Sequence, residues 1–419
     1  MTTYDIVIIG GGSAGIAAAI SAYNEGCKNI LLLEKDRELG GILLQCIHNG
    51  FGLHRFKEEL AGPAYAEKWV DMLKETGVTI KTNTMVTALN SDKLVTYVNP
   101  DEGYVTVSAK AVILSVGCRE RTRGAIAIPG YRPSGVWSAG TAQKYINMQG
   151  YMVGKKVFIL GSGDIGLIMA RRMTLEGAKV LGVAELMPYS NGLPRNMKQC
   201  LDDFDIPLYL SHTITDIRGK DRLEGITIAK VDDKLKPISG TEKDFDVDTL
   251  LLSVGLIPDS MLPEMAGVKL HPRTKGPVVD EHLMTSVPGI FACGNGLHVH
   301  DLVDFVSMEG EEAGAAAAKY VAGRIEESTE EIITISPADG IGYVVPGIIH
   351  KDIMDDSLEL KMRVTRNDRG VKLTVKNGDT VVKEVKKVRI APSEMEKIVI
   401  KKSEILNVEG ALTISVENN

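Results

Sequence analysis

The 419-residue chain has no Cys-x-x-Cys, no cysteine and histidine cluster at metal-ligand spacing and no even cysteine framework. Its five cysteines, Cys27, Cys46, Cys118, Cys200 and Cys293, stand far apart. A disulfide scaffold and a cysteine-held metal or iron–sulfur centre are therefore excluded, and reduced thiols in a cytoplasm are expected. Positive charge is also lacking: the formal charge of -7 and pI near 5.7 leave no basic footprint, so nucleic acid drops out as a partner. Long apolar runs are missing at the start, where "MTTYDIVIIGGG" has no basic segment and only Ile6 to Ile9 form an unbroken apolar stretch. Neither a secretory leader nor a membrane span is expected from it. What remains, 44% hydrophobic and 25% charged, suffices for two or three buried cores in a soluble, multidomain protein.

The run Ile6 to Ile9 reads as a buried strand entering Gly10-Gly11-Gly12-Ser13-Ala14-Gly15. The alanine-rich "IAAAISAYNEG" that follows reads as a helix ending at Gly26, and "NILLLEK" as a second strand closing in Glu34. Strand, glycine turn, helix, strand and acid make one dinucleotide-binding unit. Gly10 permits the tight turn, Gly12 lets backbone approach a pyrophosphate, and Gly15 lets helix and strand pack closely. The helix start offers free N–H groups and a positive dipole end, and Glu34 offers acceptors to ribose hydroxyls.

The same unit is written again in "KKVFILGSGDIGLIMARRMTLEGAKVLGVAE", with Gly161, Gly163, Gly166 and the closing Glu185. From Gly10 to Gly161 and from Glu34 to Glu185 the offset is the same, 151 residues. A further echo joins "AVILSVG" (111 to 117) to "TLLLSVG" (249 to 255), two short buried-strand patterns ending in glycine where a chain would pass between domains.

These residues together resemble the flavoproteins with two dinucleotide-binding domains, which include the pyridine nucleotide disulfide reductases. The resemblance spans about residues 4 to 325. It implies an α/β fold in which an FAD domain (1–118 and 257–325) holds an inserted NAD(H) domain (119–256). The returning segment is "TSVPGIFACGNG", Thr285 to Gly296, with Asn295 where the family usually has Asp. Implied FAD contacts are Gly10, Gly12, Ser13, Ala14, Gly15, Glu34, Lys35, Gly41, Gly117, Gly294 and Asn295. Implied NAD contacts are Gly161, Gly163, Asp164, Ile165, Gly166, Glu185 and Gly255. In the family the helix after "LHVHD" points its N-terminus at the flavin, where reduced flavin gathers negative charge. Asp301 and Asp304 are expected to cap that helix. Met308 and the alanines after it are expected to pack. Glu185, with no arginine directly after it, implies NADH over NADPH.

"GGILLQCIHNGFGLH" and "GVWSAGTAQ" look more narrowly like flavoprotein subunits of heteromeric dehydrogenases: sarcosine, opine and proline oxidase relatives, and the oxidoreductases encoded alongside anaerobic glycerol-3-phosphate dehydrogenase. Disulfide reductases of the family carry Gly-Gly-x-Cys-x-x-x-x-Cys, but those two cysteine positions fall here on Leu43 and His48. Thioredoxin reductases carry Cys-x-x-Cys before the NAD domain, and those positions fall on Ala139 and Ala142. Cys46 occupies none of the four. A lone thiol can act through a sulfenate, yet it needs a lowered pKa and access, so packing is the expectation for Cys46 and redox work the alternative. His48, His298 and His300 are candidates for hydrogen bonding a flavin carbonyl or passing a proton.

The run of four glutamates within residues 326–331 reads as a solvated junction. Beyond it, "LELKMRVTR", "GVKLTVKNG" and "KKVRIAP" alternate, with Asp-Arg-Gly and Asn-Gly as turn signals, so a small β-rich domain is expected over 331–419. The mixed charges of "KNGDTVVKEVKKVRI" suit a solvated face or a docking surface for a partner subunit. The whole reads as a cytoplasmic, FAD-dependent NAD(H) oxidoreductase, expected to be oligomeric. Its electrons would go to a partner dehydrogenase or electron-transfer subunit. The alternatives are an NADH oxidase or peroxidase working through Cys46, and a subunit that binds nucleotide without catalysis.

Overall fold

The computed structural model describes residues 1–325 and 331–418, so most of the glutamate-rich junction lies outside the described residues. The chain divides into two compact units, Met1–Cys118 with Pro258–Asn419, and Arg119–Ile257.

In the first unit, β-branched and leucine-rich runs form a mixed sheet. Its order is Thr79–Lys81, Ile30–Leu33, Thr3–Ile9, Gly103–Leu114, Leu94–Asn99, Met85–Leu89. The strands flanking Thr3–Ile9 run parallel to it, and Ile290–Ala292 returns late in the chain to pair parallel with residues 112–114. A parallel strand is buried on both faces, which is why "IVII" and "ILLL" are continuous apolar runs rather than alternating ones. The helix Ser13–Asn24 packs on this sheet and against the helix Val303–Val321, whose Ala313, Ala317 and Ala318 are buried. Met308, expected to pack, is 39% exposed, because its position on that helix faces away from the contact.

The second unit carries an all-parallel sheet ordered Val136–Ser138, Thr249–Leu252, Lys156–Leu160, Lys179–Glu185, Leu208–Leu210. The helices Ala139–Gln149 and Asp164–Leu175 bury their apolar sides against it, and a three-stranded antiparallel sheet over residues 212–245 adds a second small core.

Residues 333–418 form a five-stranded and a three-stranded sheet around their own core of Leu360, Met362, Leu373, Val375, Leu412, Ile414 and their neighbours. Gly378-Asp379 makes the hairpin turn between Asp368–Asn377 and Thr380–Ile390, one residue on from the Asn-Gly signal, with Asn377 paired to Thr380 and Gly378 left-handed at φ 57°. Asp-Arg-Gly is not a turn. It opens the strand Asp368–Asn377, and the chain bends from one sheet to the other at residues 365–367, where Arg366 pairs with Asp339 and Asp368.

Candidate functional site

In the first unit the chain passes from Thr3–Ile9 into Ser13–Asn24 through three glycines. Gly10 is left-handed at φ 108°, and a Cβ there would lie 2.4 Å from the Ser115 carbonyl oxygen. A Cβ on Gly15 would lie 1.8 Å from the Gly10 carbonyl oxygen, so only glycine lets the helix start this close to the strand end. Gly12 instead faces open space, and no side chain caps the helix. Uncapped amides beside an open glycine are what a pyrophosphate requires.

Two of the other implied FAD residues, Gly41 and Gly294, lie against this turn. A Cβ on Gly41 would come within 3.2 Å of Gly12 Cα, one on Gly294 within 2.9 Å of Ala14 Cβ, and one on Gly296 within 3.2 Å of Gly117 N. Asn295 Oδ1 accepts from His300 N (3.0 Å), which folds the loop back on itself. Lys35 is exposed and Ser13 half-buried.

Glu34 is buried and holds the turn together: Oε2 accepts from Gly11 N (2.6 Å) and Oε1 from Asp36 N (2.8 Å). The second unit repeats this bonding at the same offset. Glu185 Oε2 accepts from Ser162 N (2.9 Å) and Ser162 Oγ (2.7 Å), and Oε1 from Met187 N (2.9 Å). Gly161, at φ 99°, would place a Cβ 2.0 Å from Ser253 O, and Gly166 one 2.4 Å from Gly161 O. Gly163 is open, with only Ser253 Oγ at 3.8 Å, and Gly255 is left-handed at φ 104°. Asp164 is already engaged, since its Oδ1 accepts from Leu193 N (2.8 Å) and Asn196 Nδ2 (2.7 Å). Ile165 packs against the core of the sheet. A carboxylate offers about four lone-pair sites, so Glu34 keeps about two and Glu185 about one for ribose hydroxyls.

The loop between Gly294 and the helix Val303–Val321 carries a buried charge cluster. Glu309 is wholly buried; Oε2 accepts from Gly294 N (2.7 Å) and meets His300 Nε2 (3.0 Å), while Oε1 meets His298 Nε2 and Lys361 Nζ, each at 3.0 Å. Burial alone would raise the Glu309 pKa, but the Lys361 ammonium and the two imidazoles outweigh it and hold the carboxyl well below its ordinary range. Burial pushes His298 down to about 4 despite Glu309 beside it. For Lys361, burial works against the charge, and Glu309 and Glu312 overcome it and raise the pKa. The resting cluster is thus one carboxylate, one ammonium and neutral His298.

Asp301 and Asp304 do not cap the helix, whose cap residue is Leu302 with no side-chain bond. Asp304 accepts from Gly52 N (3.1 Å) and Arg55 N (2.8 Å), tying the loop after Cys46 to the helix start. Asp301 pairs with Arg363 and accepts from Met395 N (2.7 Å). Amides and a guanidinium from other segments take both carboxylates.

Cys46 Sγ donates to Ile42 O at 3.3 Å, and burial pushes its thiol up to about 12. None of the five cysteines is in a disulfide. The His48 ring lies 5.0 Å from that of Phe51. Sequence reasoning missed Glu309 and Lys361, which the structure places at the centre of the loop.

A parallel strand pair joined by a glycine turn and an uncapped helix and tipped by an acid, present twice with one copy inserted in the other, defines an α/β protein of the two-dinucleotide-domain class. Residues 4–318 match the model of the pyridine nucleotide-disulphide oxidoreductase family, and the chain belongs to that family. It is an FAD-dependent pyridine nucleotide oxidoreductase. The chain is 24% identical to hydrogen cyanide synthase subunit HcnB of Pseudomonas protegens over 337 residues, 75% of this chain and 69% of that one. It is 27% identical to an NADH oxidase of Methanocaldococcus jannaschii over 345 residues, 76% of this chain and 70% of that one. The structure of T. acidophilum thioredoxin reductase is similar at TM-score 0.61 and 25% identity, covering 77% of this chain and 99% of that one. Among the described residues no helix is long and apolar enough to cross a membrane.

Proposed function

We propose that the chain takes hydride from NADH and delivers electrons to an acceptor outside itself, a partner dehydrogenase or electron-transfer subunit of the kind found in heteromeric dehydrogenases. FAD, when bound, supplies the hydride acceptor and the electron store. The doubled carboxylate-on-amide cradle, Glu34 on Gly11 and Glu185 on Ser162, carries this reading. Gly10, Gly12, Ser13, Ala14, Gly15, Glu34, Gly41, Gly117, Gly294 and Asn295 hold FAD. Gly161, Gly163, Gly166, Glu185 and Gly255 hold NADH. The relative named as a subunit supports a partner as the acceptor. No thiol pair stands ready to relay electrons, and the Cys46 thiol stays protonated at neutral pH because burial raises its pKa to about 12. The relative named NADH oxidase keeps direct oxygen reduction as the second reading.

Anaerobic titration of the purified protein with NADH, following flavin absorbance, tests the proposal. Bleaching complete at about two electrons per flavin, unchanged in Cys46→Ser, is the expected result. An uptake of about four, or a thiolate-to-flavin charge-transfer band lost in Cys46→Ser, would replace it with the thiol route.

A further inference from the structure

Two groups of histidines and carboxylates among the described residues bring ligand atoms within 4.8 Å of one another. In the first, His298, His300 and Glu309, the ammonium of Lys361 already sits 3.0 Å from the shared carboxylate and supplies the positive charge a metal would bring. The second has no such cation. Asp280, Glu281 and His282 form a turn after Val279, and His350 reaches them from the segment that begins where Gly347 N donates to Val279 O at 3.1 Å. No lysine or arginine among the described residues pairs with either carboxylate; Asp280 is 5% exposed and the Glu281 side chain 2%. Among the described residues only the backbone amide and imidazole of His350 hydrogen-bond to Glu281, and two buried acids side by side are costly unless a cation joins them.

Each polar atom is placed as a ligand atom would be. Asp280 spends Oδ1 on the amides of His282 and Met284 (both 2.9 Å), and that fixes the carboxylate while Oδ2 receives no hydrogen bond among the described residues. His350 Nδ1 lies 3.2 Å from Glu281 Oε1 and 3.3 Å from Oε2, longer than the charge-assisted bond of an ideal ion pair. The His282 Nε2 stands farther off, 3.9 Å from Glu281 Oε1. Two ligands about 2.1 Å from one ion, at angles of about 90–109°, stand about 3.0–3.4 Å apart, which brackets the His350 to Glu281 spacing.

We propose that Asp280, Glu281 and His350 bind one divalent transition-metal ion that accepts mixed oxygen and imidazole ligands, of the Zn²⁺ type, with solvent completing its coordination. The ion would clip the C-terminal sheets to the turn that precedes the strand Ile290–Ala292. This site is independent of how FAD and NADH are used.

The test takes the full chain with its flavin in place, stripped with a chelator, then titrated with Zn²⁺ by calorimetry and with Co²⁺ by visible absorption. One ion per chain and a rise in apparent Tm are expected. His350→Gln and Asp280→Asn should each weaken Zn²⁺ binding by about tenfold or more, with flavin content unchanged. Asparagine keeps Oδ1 for the two backbone amides, so Asp280→Asn removes only the ligand oxygen. Absence of stoichiometric binding overturns the proposal, and so does binding that survives both substitutions.

Discussion

Gly310, on the helix Val303–Val321, lies directly against the backbone of Ala14, the residue just inside the dinucleotide turn: a Cβ on Gly310 would fall 2.2 Å from the Ala14 carbonyl oxygen. Gly314 makes the same approach to Ala18, also at 2.2 Å. The two helices therefore meet backbone to backbone at four-residue intervals, which fixes the uncapped start of Ser13–Asn24 against the loop holding Gly294. Gly310→Ala forces the helices apart and should cost about 1–3 kcal/mol, lowering the apparent Tm by several degrees. Flavin should be released earlier in the same melt. A thermal scan matching the parent in both respects would show that the helices can yield here.

Among the described residues Lys361 is the one lysine or arginine paired with Glu309, and both are buried. Lys361→Met leaves a desolvated carboxylate with histidine partners alone, a loss of about 3–5 kcal/mol. Glu309→Gln in the Lys361→Met background should recover much of that loss, because the unpaired charge is then gone. Chemical denaturation of the single and double variants reads both effects; a double variant no better than the single one would refute this account of the pair.

The doubled nucleotide unit was legible because glycine turns and acid-tipped strands impose fixed spacing on the sequence, and the 151-residue offset reappears as identical carboxylate bonding at Glu34 and Glu185. The cluster on Glu309 was not. In "MEGEEAG" three glutamates look equally solvated, and only the register of the helix under the Gly294 turn decides that Glu309 goes inside while Glu311 pairs with Arg55 nearer the surface. Lys361 stood in an alternating strand pattern that predicts charge outward. That strand, Ser357–Val364, buries Leu360, Lys361 and Met362 in succession, because the C-terminal core covers one face and Glu309 lies on the other. Asp301 and Asp304 misled for a related reason: acids at a helix start are also available to amides and guanidiniums brought from elsewhere.

Burial pushes the His298 pKa to about 4, below the 6.5 of an exposed imidazole. Between those values the unfolded chain binds a proton that folded His298 refuses, so this contribution to stability is complete above about pH 6.5 and lost as pH falls toward 4. Glu309, also depressed, adds a loss that starts as pH falls through the ordinary carboxylate range. Apparent Tm should therefore decline from pH 7 to pH 4.5, and His298→Gln should flatten the part of that slope above about pH 5. An equal slope in the variant would assign the acid sensitivity to other groups.

Glu185 ends its strand with three hydrogen bonds already accepted, from Ser162 N, Ser162 Oγ and Met187 N, so its position is fixed before any ligand arrives. A carboxylate held this way has about one acceptor site for a ribose hydroxyl. It repels a 2′-phosphate at the same place, and the residues after it, Leu186 to Pro194, contain no arginine to offset that repulsion. NADH should exceed NADPH in kcat/KM by about tenfold or more, which corresponds to about 1.4 kcal/mol of discrimination. Steady-state rates with an artificial electron acceptor measure this without knowledge of the natural partner. A preference for NADPH would mean that Glu185 serves only to bind its own turn, and that the nicotinamide nucleotide's ribose lies elsewhere.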